Sequence, residues 1–331
     1  MKLKRNFLLL ILNCFWIASY AQSTIEFEQL KGENVPTQSI TYAIDTDSIG
    51  NVWIASEEGV LKHNSKYYTI YNSYNGLPTI FGNRIKEVFV DSKQRVWIGS
   101  EEGVSIYNEN SDAFEYIETD GVLNPSLIEV IIEDDNKDIW VGGYNGLWKY
   151  DEINKKLKRI VSNHNIQALY PLSNKLIFGT QKGLFFYESD VLQDIEIGYD
   201  EKNIRHISKF GDEILIGTKT GKLYLKQEGD KNIKRIDFDF NLFNAITDII
   251  KTSDGSFLMA TDGDGIYKLN TDYKKIEQYS EDPNEPYSIS SNGVYDIKLD
   301  REGILWIATY GGGLNYHNSS ELPFQNIRHR I

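Results

Sequence analysis

A motif that recurs seven times constrains the fold of this chain more than any other feature. Each copy follows the pattern apolar–Trp–Ile–Gly/Ala–Ser/Thr–x–x–Gly–apolar with some substitutions, and successive copies lie 37 to 48 residues apart. The Trp position of the seven copies holds, in order, Trp53, Trp97, Trp140, Ile177, Leu215, Leu258 and Trp306. Short strands repeated every 40–45 residues or so are typical of a β-propeller, whose units stack because one sheet alone cannot bury both faces. The repeat predicts an all-β chain forming a single seven-bladed β-propeller of four-stranded antiparallel blades.

The second unit shows how one repeat divides into four strands. Ile85–Val90 is strongly apolar on one face, and Arg95–Ser100 is apolar on both faces at its centre. Val104–Tyr107 alternates as a half-buried strand should, and Phe114–Ile117 is the most polar of the four. Short turns separate these segments. The order predicts that strands run outward from the propeller axis to its rim, with the Trp strand second and its indole packed between blades.

An acidic residue usually stands in the turn before the Trp strand. These acids are Asp47, Asp91, Asp134 or Asp135, Asp254 and Asp300. A short carboxylate can accept backbone N–H bonds within a tight turn. We therefore interpret the repeated acids as turn residues. They are expected at the opposite end of each blade from the hairpin between strands two and three, so they should not converge on one site.

The N-terminal segment predicts export. Residues 1–22 combine a basic start, a short apolar run at 7–17, and small residues Ser19 and Ala21 before Gln22, as a signal peptide does. The mature propeller would then span 23–331. No later apolar stretch is long enough for a transmembrane helix, so we expect no membrane insertion after cleavage and a periplasmic or extracellular location.

Charge and cysteine content exclude several classes of partner. The formal net charge is −13, and loss of the three basic leader residues lowers it to −16. Such a balance argues against nucleic acid and against anionic membrane surfaces. Cys14 is the only cysteine; Asn13 before it and the apolar residues after it do not suit a lipid attachment site. The mature chain is therefore expected to contain no disulfide.

Two segments compete to complete the seventh blade. Residues 25–30 and residues 324–327 both have the pattern of a fourth strand. A ring is more stable when the N-terminal strand closes the last blade, since closure removes an open sheet edge. We therefore predict that 25–30 pairs near Leu314–His317, and that 324–327 is either surplus or the entry to a further segment.

Several phrases of the sequence resemble the two-component regulator propeller repeat. They stand at Tyr74–Pro78, at Asp91–Gly103, and most fully from Pro286–Ile297 on to Trp306–Leu314. The resemblance covers nearly the whole mature chain. It implies the periplasmic sensor half of a hybrid two-component system, in which two propellers and a β-sandwich precede a membrane helix and a histidine kinase. It further implies an oligosaccharide ligand, and output through a second propeller, a sandwich domain or a kinase-bearing partner.

Motifs of catalysis and cofactor binding are not found in the sequence. The histidines lack metal-ligand spacing, and there is neither a nucleophile elbow nor a phosphate loop. Thr261–Gly265 superficially resembles a calcium loop but lacks the downstream ligands. We therefore predict a binding protein with no catalytic residue, metal or cofactor. A secreted glycosidase or lyase and a stand-alone protein-interaction propeller are the alternatives.

Candidate ligand-binding residues are those that depart from the repeat in the hairpins between strands two and three. Tyr144 and Asn145 replace an acidic pair found in the first two units, and Tyr310 does so in the seventh. Asp262 and Asp264 occupy the corresponding hairpin of the sixth unit. A Tyr ring can stack on a sugar while Asn or Asp bonds its hydroxyls. These five residues are the predicted site, although exposed turn residues would have the same appearance.

Overall fold

The repeats fold into seven four-stranded antiparallel sheets around a common axis. The structure, a computed structural model, describes residues 25–32, 37–64, 66–73, 80, 82–121, 123–173, 175–197, 201–230 and 232–318. The strands are β1 (Glu28–Gln29), β2 (Thr41–Thr46), β3 (Val52–Ser56), β4 (Gly59–His63), β5 (Tyr68–Tyr71), β6 (Ile85–Val90), β7 (Val96–Ser100), β8 (Val104–Asn108), β9 (Ala113–Tyr116), β10 (Ile128–Glu133), β11 (Ile139–Gly143), β12 (Gly146–Asp151), β13 (Lys156–Ser162), β14 (Ile166–Leu172), β15 (Lys175–Thr180), β16 (Leu184–Glu188), β17 (Val191–Ile195), β18 (Ile204–Phe210), β19 (Glu213–Thr218), β20 (Leu223–Gln227), β21 (Ile233–Ile236), β22 (Ile246–Lys251), β23 (Phe257–Thr261), β24 (Gly265–Leu269), β25 (Lys275–Tyr279), β26 (Val294–Leu299), β27 (Ile304–Thr309) and β28 (Leu314–Asn318).

The first strand of each blade is the innermost. Successive inner strands contact one another in a closed cycle from β2 through β6, β10, β14, β18, β22 and β26 back to β2. Each inner strand begins at the end of the blade that carries the hairpin between strands two and three, as the pairing Thr41↔Ser56 shows. We call this end the hairpin face and the opposite end the turn face. The predicted seven-bladed propeller is confirmed.

The seventh blade is built from both ends of the described chain. Its strand order is β26, β27, β28 and then β1. Glu28 pairs with Tyr316 and Gln29 with Asn315, and the Leu30 N–H donates to the Leu314 carbonyl at 2.8 Å. The N-terminal strand is therefore the outer strand of blade seven.

Some of the sequence predictions concern other parts of the chain. The leader at 1–22, the phrase at 74–78 and the competing segment at 324–327 lie outside the described residues. The domain boundaries stay predictions for the same reason. Among the described residues, no helix is long and apolar enough to cross a membrane.

The hydrophobic core lies between blades and is centred on the second strands. The Trp side chains are 0–7 % exposed, which confirms that all four occupy equivalent buried places: Trp53, Trp97, Trp140 and Trp306. Trp53 of blade one packs against Val88 and Ile98 of blade two, so the indole joins neighbouring sheets. Such interblade burial is the main stabilising term of a propeller, because no blade has a core of its own.

A hydrogen bond joins each of these indoles to the turn acid of its own blade. Trp Nε1 donates to Asp Oδ2 at 2.8–3.1 Å in the pairs Trp53–Asp47, Trp97–Asp91, Trp140–Asp134 and Trp306–Asp300. The other oxygen of Asp91 accepts the backbone N–H groups of Lys93 and Arg95 at 2.9 Å. We call this arrangement the Trp–Asp clasp. It shows that the turn acids organise turns and lie away from the hairpin face, as predicted.

Candidate functional site

A β-bulge interrupts the pairing of all seven inner strands at the same place. In blade two, for example, the register shifts between Ile85 and Glu87, so Lys86 is the extra residue. A bulge re-aims side chains and often borders a functional site. The seven bulged residues, which we call the bulge ring, are Tyr42, Lys86, Glu129, Gln167, Arg205, Thr247 and Tyr295. The residues that follow them, which we call the second ring, are Ala43, Glu87, Val130, Ala168, His206, Asp248 and Asp296.

Both rings line one cavity on the propeller axis. Its volume is about 360 Å³, at the lower end of the range usual for ligand pockets. Asp262, from the hairpin of blade six, is also in the lining, which places the cavity next to the hairpin face. Every blade contributes side chains, yet the bulge ring holds six different residue types. The cavity is therefore lined by side chains that differ from blade to blade, unlike the repeated residues of the strands and turns.

One wall of the cavity is aromatic. The rings of Tyr42 and Tyr295 stack with centroids 5.6 Å apart, and the Lys86 Nζ lies 3.8 Å from the centroid of the Tyr42 ring. Tyr310 meets Tyr295 edge to face at 6.2 Å. Burial raises the pKa of both Tyr42 and Tyr295, so their phenols stay protonated. The wall therefore presents aromatic carbon and phenol hydroxyl groups to the cavity.

Acidic side chains of the second ring lie below this wall. Asp296 Oδ2 accepts the Ile44 N–H at 2.6 Å, and Asp248 Oδ2 accepts the Ile297 N–H at 3.1 Å. Each bond joins one blade to the next. The two carboxyls also bond to each other, and burial raises the pKa of both, that of Asp296 further because of the Asp248 charge. Burial, with the charge of Asp296, also holds the pKa of Glu87 well above its usual value. These carboxyls therefore retain protons above the usual pH range of an aspartate.

His206 completes the polar part of the second ring. Burial lowers its pKa to about 4, although the nearby Asp296 charge opposes this, so the imidazole is neutral at pH 7. Its Nδ1 lies 3.6 Å from Asp248 Oδ1, and its Nε2 has no hydrogen-bond partner among the residues that the structure describes. Within the described ranges, no group of three or more His, Cys, Asp or Glu side chains is arranged to hold a metal ion.

The inner strands hold a carboxyl pair that the repeated turn acids did not predict. The turn acids lie at the far end of the blades, as expected, whereas two other carboxyls converge on the axis. Asp248 and Asp296 meet there because both follow a bulge on adjacent inner strands. An aspartate stands at this position in only two of the seven blades, so the pair is not part of the repeated pattern.

The structure separates the five predicted site residues into two groups. Asp262 lines the cavity, and Tyr310 touches its aromatic wall through Tyr295. The other three are not in the cavity lining: Asp264, whose Oδ2 accepts from Asn244 at 2.8 Å, and Tyr144 and Asn145 in the hairpin of blade three. Tyr144 is 60 % exposed, while the Asn145 amide donates to the Asn124 carbonyl at 2.7 Å.

Sequence reasoning missed the bulge ring itself, although a signal was available. Each inner strand starts with an apolar residue or Thr, and the next position is polar or aromatic in all seven units, as in Ile85–Lys86 and Ile204–Arg205. A charged residue directly after the first buried position of a strand fits a bulge that opens on a cavity.

Comparisons with known proteins agree with this fold. Residues 288–311 match the family model described as two component regulator propeller. A search of curated proteins found no match. The extracellular domain of BT3049 from B. thetaiotaomicron, described as a hybrid two component system, superposes with a TM-score of 0.75 at 23 % identity, covering 89 % of this chain and 42 % of that one. The extracellular domain of BT4673 from the same organism, also described as a hybrid two component system, superposes with a TM-score of 0.76 at 21 % identity. The superposition covers 88 % of this chain and 39 % of that one.

A third structure of similar fold has a different function. Inactive virginiamycin B lyase from Staphylococcus aureus, solved with quinupristin, gives a TM-score of 0.70 at 16 % identity, covering 89 % of this chain and 99 % of that one. These likenesses define a seven-bladed propeller, a class that contains both sensors and enzymes. The family match then confirms, in the seventh blade, the resemblance to the two-component regulator propeller repeat. The chain spans about two fifths of the length of the two hybrid-system domains.

Proposed function

We propose that this propeller is the ligand-binding part of a periplasmic sensor in a two-component signalling system, and that it responds to an oligosaccharide. The observation that carries the proposal is the axial cavity, in which the aromatic wall of Tyr42 and Tyr295 faces polar side chains from other blades. A sugar presents an apolar face and a rim of hydroxyls, so it suits a site with one stacking surface and several hydrogen-bonding groups. The family of the repeat supports the signalling role.

Location and output follow from the same proposal. The leader at 1–22 would direct the chain to the periplasm, where an oligosaccharide can reach the hairpin face. The hybrid-system domains of similar fold are described as extracellular, which supports this location. A second propeller, a sandwich domain or a kinase-bearing partner would pass the signal on.

The axial carboxyls argue for binding rather than hydrolysis. Asp248 and Asp296 each hold a backbone N–H of the next blade, so both serve the ring itself. A glycosidase needs one carboxyl free to donate a proton and another free to attack or to activate water. Asp248 and Asp296 are therefore engaged with the backbone of the ring rather than free for these two roles.

Calorimetry with a panel of neutral and acidic oligosaccharides tests the proposal. We expect at least one to bind the parent protein, and Tyr295→Ala to weaken that binding several-fold through loss of the stacking wall. Tyr67→Ala, which removes a 62 % exposed ring between β4 and β5 on the turn face, is the matched control and should bind as the parent does. Absence of binding across the panel, or cleavage of a panel member that Asp248→Asn abolishes, would refute the sensor role.

A further inference from the structure

Two cations of the bulge ring, Lys86 of blade two and Arg205 of blade five, line the same cavity. Lys86 and Arg205 are half-buried and lie close enough for the Arg205 charge to lower the pKa of Lys86. Neither takes part in an ion pair among the described residues, although the chain has 48 acids against 35 bases. Their neighbour Arg84, by contrast, pairs with Glu57 and Glu101. Two like charges in one cavity repel, so an anion between them would be stabilised by both.

Arg205 is oriented by a neutral partner rather than by an acid. With the Gln167 amide turned so that its oxygen faces the guanidinium, Oε1 accepts from Arg205 Nη1 at 2.8 Å and Nε2 donates to Asn203 Oδ1 at 2.8 Å. The guanidinium forms no other hydrogen bond within the described part of the chain, so the rest of its fork can bind a ligand. A guanidinium binds a carboxylate well because its planar fork matches the two oxygens.

Lys86 is held over the aromatic wall. Burial lowers its pKa, and the charges of Arg84 and Arg205 lower it further, against the opposing charge of Glu129. Glu129 is the nearest opposite charge of the ring, but no atom of it forms an ion pair with Lys86. The ammonium instead lies 3.8 Å from the centroid of the Tyr42 ring. An anion beside it would offset the cost of this burial.

We propose that the bulge ring is a binding site for a sugar that carries a carboxylate, a uronic acid at the end of an oligosaccharide. The carboxylate lies between Lys86 and Arg205, and the sugar ring packs against the aromatic wall of Tyr42 and Tyr295. The inference rests on the proposed oligosaccharide-sensing function and names the ligand class of the same site. It extends that function because a neutral sugar would leave both cations unpaired.

The other acids in the cavity fit this ligand. Burial raises the pKa of Glu87, Asp248 and Asp296, which favours their uncharged forms. A protonated Glu87 can also donate to a hydroxyl oxygen. Glu129 and Asp262 remain as acceptors for sugar hydroxyls. The site therefore has cations for one end of the sugar and acceptors for the others, which is a pattern that orients as well as binds.

Digalacturonic acid and its methyl ester are the probes, because they share every atom of the rings and differ in charge. We expect the parent protein to bind the acid at least ten-fold more tightly than the ester, with the difference shrinking at high salt. Arg205→Gln and Lys86→Gln should each reduce this preference several-fold. Lys158→Gln, which removes one exposed positive charge on β13, is the matched control and should leave the preference unchanged.

The outcomes separate this inference from the proposed function. Equal affinity for acid and ester, or a preference unchanged by Arg205→Gln, would overturn the uronic acid while the sensor role stands if other sugars bind. If no sugar binds the parent protein, both the uronic acid ligand and the sensor role are overturned. Because a substitution in the cavity could also disturb folding, melting temperatures are compared, and Arg205→Lys, which keeps the charge, should recover part of the preference.

Discussion

The two faces of this ring use carboxylates in opposite ways. On the turn face, Asp91 is buried and fully bonded, by Trp97, by Arg95 and by two backbone N–H groups, all of its own blade. Near the hairpin face, Asp248 and Asp296 bond to backbone groups of the next blade and to each other, and they retain protons. The Trp and backbone bonds of the first arrangement recur in four blades, whereas the second arrangement occurs once among the described residues.

The difference shows which departures from a repeat matter. A carboxylate whose partners recur with it stabilises one blade and can be copied along the chain. A carboxylate that meets different partners in each blade makes the charge around the axis differ from blade to blade. Its burial costs desolvation free energy. Structural acids and site acids are thus distinguished by whether their partners repeat, and substitutions on both faces test the distinction.

The largest expected effect is at the clasp of blade two. Asp91→Ala leaves the Trp97 indole N–H, the Arg95 guanidinium and two backbone N–H groups without their acceptor, and should lower the free energy of unfolding by about 4 kcal/mol. Urea unfolding measures it. Asp212→Ala, at an exposed position of the corresponding turn in blade five, is the control and should change stability little. If both substitutions lowered the free energy of unfolding equally, the Trp–Asp clasp would contribute no more to stability than an ordinary turn residue.

The next effect is that of the indole itself. Trp97→Leu gives blade two the residue that blade five has naturally at Leu215, and should destabilise by about 3 kcal/mol because the surrounding side chains cannot close the space. The reverse change, Leu215→Trp, should also destabilise, since the side chains around it leave no room for an indole. A stable Trp97→Leu protein would mean that the interblade site is not shaped for Trp.

The frame was far more predictable than the site. The motif, its spacing and the turn acids predicted the blades, the buried Trp residues and the strand at 25–30, because these depend on local pairing that repeats. The cavity depends on a bulge that shifts one residue toward the axis, and on side chains more than 40 residues apart in sequence, such as Tyr42 and Lys86. Asp262 and Tyr310 were within reach as departures from the repeat, whereas Arg205 and Asp296 required knowledge of which residues face inward.

A smaller effect, of opposite sign on the two faces, is expected with pH. The pKa of Asp296 is raised on folding, so its charge costs stability as pH rises above the unfolded value of about 4. Asp296→Asn keeps an acceptor for the Ile44 N–H and removes that charge. It should stabilise the protein by about 1 kcal/mol at neutral pH, and the gain should vanish below about pH 4.

Asp254, in the turn of blade six, is the matched control for that prediction. Hydrogen bonds from Ser256 and Thr252, with Lys268 nearby, hold its pKa below the usual value, so its contribution is present at neutral pH and is lost as pH falls. Asp254→Asn should therefore destabilise slightly at neutral pH and approach the parent in acid. Chemical unfolding across the pH range measures both variants. The same sign for the two would show that the faces do not differ as proposed.

The smallest effect on stability, and the sharpest test of position, concerns the two exposed tyrosines of the hairpins. Tyr310→Ala and Tyr144→Ala should each change the free energy of unfolding by less than about 0.5 kcal/mol, because both rings are more than half exposed.

The effects of these two substitutions on ligand binding should differ. Tyr310 touches the cavity wall through Tyr295, so its loss should weaken an axial ligand by about 1 kcal/mol, or several-fold in affinity. Tyr144 is not part of the cavity lining, and its loss should leave the affinity unchanged. Calorimetry with whichever oligosaccharide binds the parent decides between them. Equal weakening would extend the site from the axis across the hairpins to blade three, and weakening by Tyr144→Ala alone would move it off the axis and leave the bulge ring as part of the frame.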